Sequence, residues 1–143
     1  MAKKPASELD QFFGVRAPRL GVVTGGALSR GLEVKLDAHS DIEELAVGRY
    51  VVVHGRRQRF FCMVTDIGLA NTNTQITLTP PDIQSNPYLA DVYTGTTAFG
   101  TMHIAPMLII KEDGSVEPVR TIPPHFQEVW TATERDINAV FGD

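Results

Sequence analysis

The chain has 143 residues and one cysteine, a length typical of a single domain that buries a core without disulfides or metal ions. Its 43% hydrophobic and 21% charged residues exclude a disordered chain, and no apolar run approaches the roughly 18 residues of a membrane-spanning helix. The formal charge of −4 disfavours attraction of nucleic acid by the whole surface, although residues 1–62 carry ten basic and only seven acidic side chains.

The first third of the chain predicts an N-terminal extension followed by two strands. Residues 1–18 form the extension, in which residues 6–13 have the spacing of a short helix. No apolar stretch of signal-peptide length occurs there, so we expect a cytoplasmic protein. Residues 20–24 resemble a strand, and residues 32–36 alternate apolar and charged side chains, as a half-buried strand does. The glycine-rich residues 25–31 between them predict a turn.

A hairpin is predicted in the middle of the chain. Residues 50–53 are continuously apolar, as in a central strand, and residues 60–67 form a second apolar strand. The segment between them displays Arg56, Arg57 and Arg59. These are our candidate contacts for a partner protein or nucleic acid, because a hairpin tip can present guanidinium groups to carboxylates or phosphates. Charged residues at a hairpin also favour solubility, and that alternative stays open.

Strand signals continue to residue 110. Residues 75–79 are rich in β-branched side chains, and residues 92–97 form a weaker strand pattern. Residues 101–110 predict a further strand that is interrupted at Pro106, because proline cannot donate to a strand ladder. Including the earlier segments, the chain supplies about six strands.

The C-terminal segment predicts an amphipathic helix over residues 121–143. Apolar side chains recur at three- and four-residue steps, Pro124 suits a helix start, and Gly142 suits a C-terminal cap. Trp130 and Phe141 lie in the apolar stripe and are too large to leave in water. The helix is therefore expected to pack on the rest of the chain or on a segment that the chain lacks.

The predicted fold is mainly β and forms one domain. It is a small closed antiparallel β-barrel of about six strands over residues 19–120, followed by the C-terminal amphipathic helix.

The residues do not form a recognisable catalytic, cofactor-binding or metal-binding set. A phosphate-binding Walker A loop needs Lys and then Ser or Thr after its last glycine, whereas Leu32 and Glu33 follow Gly31. Cys62 lies in an apolar strand and is expected to be a small core residue. The dispersed histidines lack the spacing of metal ligands, and the carboxylates of residues 41–44 are typical of a solvated loop. We therefore expect no enzymatic activity in this chain.

The order of these motifs resembles the HAS-barrel, the N-terminal β-barrel of HerA-type ATPases. The resemblance is carried by residues 19–26, 32–36 and 47–53, and by residues 60–67 with the arginines before them. It extends from about residue 19 to residue 110, and the segment from Pro123 onward resembles the connection to a motor domain.

This resemblance implies a module of a hexameric, HerA-like DNA translocase that works with a NurA-type nuclease in DNA-end processing. The barrel would support hexamer assembly and nuclease docking, without catalysis. ATP and Mg would bind an ATPase domain that this chain lacks, and DNA would be engaged by the full-length ring. The C-terminal helix would lead toward that ATPase domain.

Two other functions remain open on the sequence alone. A stand-alone small β-barrel could bind single-stranded nucleic acid or another protein. Binding of nucleic acid requires a basic groove with exposed aromatic rings. A small-molecule enzyme or ligand-binding barrel has less support, because no nucleophile, base and orienting group occur in one recognisable set.

Overall fold

The computed structural model describes residues 19–72 and 98–142, together with Asp82 and Gln84. The short helix predicted at residues 6–13 and the strands predicted at residues 75–79 and 92–97 lie outside these residues. The described elements are strands β1 (Arg19–Ala27) and β2 (Gly31–Leu36), a 3-10 helix (Ile42–Glu44), strands β3 (Tyr50–His54), β4 (Arg59–Asn71), β5 (Ala98–Ile110), β6 (Val116–Pro118) and β7 (Glu128–Thr131), and helix α1 (Glu134–Phe141).

Six of the described strands close into an antiparallel barrel. Going round it, β1 pairs with β2, β2 with β5, β5 with β4, β4 with β3, β3 with β7, and β7 returns to β1. The short strand β6 pairs with the C-terminal end of β5 outside this ring. The predicted fold, a small closed barrel of about six strands with a C-terminal helix, is confirmed.

The barrel interior is built from side chains that alternate along the strands. In β3, Val51 and Val53 point into the main core, whereas Val52 belongs to a second cluster. The same alternation places Phe60 and Cys62 of β4 inside and Phe61 outside. The interior side chains are Leu20, Val23, Leu32, Val34, Leu36, Val51, Val53, Phe60, Cys62, Val64, Met102, Ile104, Ile109 and Val129.

Pro106 does not interrupt β5, contrary to the sequence-based expectation. It lies between the last residue of β5 that pairs with β2, Ile104, and the first that pairs with β6, Leu108. Opposite it the register with β4 shifts between Phe61 and Cys62, which marks a β-bulge. Proline is tolerated in a strand at such a position, where the ladder is already irregular.

The prediction of one continuous helix at the C-terminus is wrong in its first half. Residues 128–131 form strand β7, which closes the barrel between β1 and β3, so the barrel extends beyond residue 120. The fully buried Val129 completes the core from this position. Glu-Val-Trp-Thr suits a strand, and without it β1 and β3 would each leave a strand edge unpaired.

The helix itself begins only at Glu134. Thr133 is its N-cap, and a capping box joins the side chains of Thr133 and Asp136 to each other's backbone N–H groups. Gly142 ends it at a φ of 82°, as predicted. In the described part of the chain, neither helix has the length and apolar character needed to cross a membrane.

Helix α1 packs on the outside of the barrel. Its Ile137 and Val140 cover a second apolar cluster that contains the buried Val52, Phe61 and Ile110. The helix therefore packs on its own barrel, one of the two arrangements expected from the sequence.

Candidate partner-binding surface

The β3–β4 hairpin ends in a tight turn that we call the hairpin tip, residues 55–58. His54 and Arg59 form the last pair of the ladder, and the Gly55 N–H donates to the Gln58 carbonyl at 2.9 Å. A Cβ atom at Gly55 would lie 2.7 Å from the Gln58 carbonyl oxygen and 2.9 Å from the Phe60 ring. This close approach requires glycine and fixes the turn against the barrel.

Arg56 and Arg57 project from this tip into solvent. Both side chains are exposed. Among the residues that the structure describes, neither guanidinium group forms a hydrogen bond or an ion pair. The structure therefore places both arginines at an exposed hairpin turn, the position that the sequence predicted.

Arg59 has a different environment from the two arginines of the tip. Its guanidinium group forms an ion pair with the carboxylate of Asp136 in helix α1. The Asp136 side chain is only 5% exposed, and it also accepts hydrogen bonds from the backbone N–H and hydroxyl of Thr133, at 3.0 and 2.9 Å. The three arginines lie close together, since all of them line one cavity. Arg59 joins the hairpin to the helix, so that of the three only Arg56 and Arg57 remain unengaged in the described part of the chain.

A hollow of about 320 Å³ lies between the hairpin tip and the residues that follow β5. We call it the basic hollow. Lys111 contributes a further cation to its wall and forms an ion pair of 3.4 Å with Glu117 in which both side chains remain partly exposed; such pairs are weak in water. The charged and titratable residues of the wall are His54, Arg56, Arg57, Arg59, Lys111 and Glu112.

A larger cleft adjoins the basic hollow. We call this space of about 630 Å³ the helix cleft, since it runs between the end of β5, strand β7 and helix α1. The two spaces lie side by side, and His54 and Arg59 line both of them. In the helix cleft the His54 ring stacks on the half-buried Trp130 ring, with centroids 5.7 Å apart and an angle of 12° between the planes.

The electrostatics of the ring pair are set by burial and by neighbouring charges. Burial and, secondarily, the Arg59 guanidinium lower the pKa of His54 from its ordinary value, so the imidazole is neutral at neutral pH. The Trp130 indole N–H donates to the Glu128 carboxylate at 3.0 Å. The ring pair thus offers a neutral aromatic surface beside the two unengaged arginines.

The sequence did not indicate that His54, Lys111 and Trp130 contribute to this surface. They come from β3, from the residue after β5 and from β7, and only the barrel pairing brings them together. The spacing of the apolar residues predicts a helix at Trp130, whereas Trp130 lies on the outer face of strand β7. The alternation of Val129 inside and Trp130 outside is the signal that could have located it.

Cys62 and Asp113 are two titratable side chains whose surroundings shift their pKa values. Cys62 is fully buried, and burial raises the pKa of its thiol to about 12, so it is the small core residue that the sequence predicted and no nucleophile at neutral pH. Hydrogen bonds from the Ser115 hydroxyl and backbone lower the pKa of Asp113 in the turn after β5. Within residues 19–72 and 98–142, no three His, Cys, Asp or Glu side chains are arranged to hold a metal ion.

Comparison with known proteins identifies one domain. Residues 20–92, slightly more than half of the chain, match the sequence model of the HAS barrel domain, and this span contains β2, β3, β4 and nearly all of β1. No curated protein sequence matches the chain.

Proposed function

Because the chain belongs to the HAS-barrel family, a domain found in HerA-like ATPases, we propose that it is the non-catalytic N-terminal barrel of a HerA-like DNA translocase. In this role it supports assembly of a hexamer and docks a NurA-type nuclease for DNA-end processing in the cytoplasm. ATP and Mg belong to an ATPase domain outside this chain, and the full-length ring engages DNA. The observation that carries the proposal is the family match over residues 20–92.

The geometry of the hairpin supports a docking role for the barrel. Arg56 and Arg57 project from a turn whose backbone is held by the Gly55 contact, and their guanidinium groups are unengaged in the part of the chain that the structure describes. Arginine forms paired hydrogen bonds with carboxylates and is enriched among the residues that dominate protein interfaces. Arg59 contributes indirectly by joining the hairpin to helix α1.

Sequencing of the gene beyond codon 143 tests the translocase assignment. The proposal expects Gly-x-x-x-x-Gly-Lys-Ser or Thr within roughly the next hundred codons, after a predicted strand and before a helix. A stop codon directly after codon 143 would remove the translocase assignment and leave a small binding protein.

Binding of single-stranded nucleic acid by the barrel alone is a second candidate function. The stacked rings of His54 and Trp130 beside Arg56 and Arg57 favour it, because such proteins combine base stacking with cations that contact the backbone. Salt-dependent binding of an oligonucleotide, abolished by replacing Arg56, Arg57 and Arg59 together with alanine, would support it. Absence of binding at low salt would exclude it. The double replacement at Arg56 and Arg57 is the cleaner variant, since Arg59 also holds helix α1.

A further inference from the structure

We propose that the basic hollow and the adjoining ring pair of His54 and Trp130 form a docking site for an acidic segment of a partner protein. Carboxylates of that segment bind Arg56, Arg57 and Lys111, and an apolar side chain of the same segment packs against the rings. This inference rests on the docking role proposed above and specifies the chemistry of the partner.

The charge balance of the basic hollow favours an anionic ligand. Arg59 is compensated by the buried carboxylate of Asp136. The guanidinium groups of Arg56 and Arg57 have no such partner in the described residues, and Lys111 is held only by a partly exposed ion pair of 3.4 Å. Glu112 is the one carboxylate on the wall of the hollow. A ligand with two or more negatively charged oxygen atoms fits this excess of positive charge.

The basic hollow adjoins an aromatic surface. His54 and Arg59 line both the basic hollow and the helix cleft, so the stacked rings lie next to the arginines. Trp130 is half-buried, with the indole N–H directed to Glu128. Together with the His54 ring it presents aromatic surface to the helix cleft, as aromatic residues at interface centres commonly do.

The distribution of charge favours a protein segment over a nucleic-acid backbone. Single-stranded nucleic acid places a phosphate at every nucleotide and requires a track of cations. Here the two unengaged cations, Arg56 and Arg57, lie at the hairpin tip. The helix cleft beyond them carries both signs of charge, with the carboxylates Glu112, Asp113 and Asp136 beside Arg59, Lys111 and Arg135. A continuous chain of phosphates would approach these carboxylates, whereas a peptide can follow its acidic residues with neutral ones.

The tip is also held in place before any partner binds. The bond from Gly55 to Gln58 closes the turn, and the ion pair of Arg59 with Asp136 joins the first residue after it to helix α1. A surface that is already ordered loses less conformational entropy on binding than a mobile loop does. Binding therefore orders mainly the two arginine side chains.

The single tryptophan makes the site directly measurable. Trp130 is the only tryptophan of the chain, so its fluorescence reports on the helix cleft. The chain is titrated at low salt with a peptide of about eight glutamates that ends in leucine, with a glutamine peptide of the same design as a neutral control. We expect a saturable change in Trp130 emission with the acidic peptide and none with the neutral one.

Two pairs of substitutions locate the binding. Arg56→Gln with Arg57→Gln removes the two unengaged charges of the tip and should weaken binding at least about tenfold. Arg30→Gln with Arg120→Gln removes two charges from other exposed positions and should change the affinity less than about twofold. Equal weakening by both pairs would show a general charge effect and overturn the proposal, provided that both variants retain the melting temperature of the parent.

Further outcomes separate this inference from the proposed function. Binding of an oligothymidine of similar length at least about tenfold tighter than the acidic peptide would overturn the inference in favour of nucleic acid. Self-association that competes with the peptide and is lost in the Arg56, Arg57 variant would overturn it in favour of a second copy of the chain. If a NurA-type nuclease binds the chain but the acidic peptide does not, only the inference fails. If neither binds, the docking role fails with it.

Discussion

The tip of the β3–β4 hairpin and the residue directly after it carry the same type of side chain but have different roles. Directly after the tip, Arg59 pairs with the buried Asp136 of helix α1. At the tip, Arg56 and Arg57 are exposed and unengaged in the part of the chain that the structure describes. The difference is set by helix α1, which supplies a carboxylate 77 residues away in sequence. Residue type alone therefore does not distinguish a structural arginine from one that is available for binding.

The largest expected effect concerns the apolar cluster that holds helix α1 against the outside of the barrel. Phe61 is fully buried there, with its ring 4.9 Å from Tyr50 and 6.0 Å from Phe141. Phe61→Ala should lower the free energy of unfolding by about 3–5 kcal/mol, since it removes a large buried side chain. Urea unfolding measures this. Leu69→Ala on the same strand, where the side chain is 81% exposed, should change it by less than about 0.5 kcal/mol. Equal effects would contradict the placement of the cluster.

The next effect concerns Asp136, the helix α1 carboxylate that pairs with Arg59. Asp136→Ala removes the capping box and the partner of Arg59, and should lower the free energy of unfolding by about 2 kcal/mol. Glu134→Ala, an exposed change in the same helical turn, should cost less than about 0.5 kcal/mol. Circular dichroism during urea unfolding compares the two. An Asp136→Ala chain as stable as the parent would show that the ion pair does not hold the helix.

A smaller effect separates the arginines themselves. Arg59→Gln should lower the free energy of unfolding by about 1 kcal/mol, because Asp136 loses its charged partner but keeps the hydrogen bonds from Thr133. Arg56→Gln and Arg57→Gln should each change it by less than about 0.5 kcal/mol, since both side chains are exposed. Thermal unfolding of the three variants measures these differences in stability. Equal destabilisation at all three positions would remove the distinction between Arg59 and the two arginines of the tip.

The smallest effect is a dependence of stability on pH through His54. Its pKa is lower in the folded chain than the ordinary value of 6.5, so the unfolded chain binds a proton first as the pH falls. The contribution of His54 to stability is therefore complete above about pH 6.5 and is lost at lower pH. His54→Gln should flatten the melting temperature between about pH 7.5 and 5.5 relative to the parent. An unchanged slope would place the titrating group elsewhere.

Much of the barrel could be predicted from local patterns. The alternation in residues 32–36 and the apolar run at residues 50–53 each correspond to a barrel strand. A strand with one buried face alternates apolar and polar side chains, and a strand buried on both faces is continuously apolar. The segment around Trp130 could not be assigned in this way. Its apolar residues have the spacing of a helix. Residues 128–131 nevertheless form a strand, because they pair with β1 and β3.

The candidate site was only partly predictable. The hairpin and its three arginines follow from a local pattern of strand, glycine and charge, and their position at the turn is confirmed for Arg56 and Arg57. The engagement of Arg59 depends on Asp136, and the surface beside the tip depends on Lys111 and Trp130. Such contacts join residues that are far apart in sequence, and they cannot be predicted before the order of the strands in the barrel is known.

Calorimetric titration of a NurA-type nuclease from the same genome into this chain tests the central claim most directly. The account predicts stoichiometric binding that Arg56→Gln with Arg57→Gln weakens at least about tenfold, while Arg30→Gln with Arg120→Gln leaves it within about twofold. Binding that is equally strong in the parent and both variants would contradict the role of the hairpin tip. No binding by the folded parent chain would contradict the docking function itself.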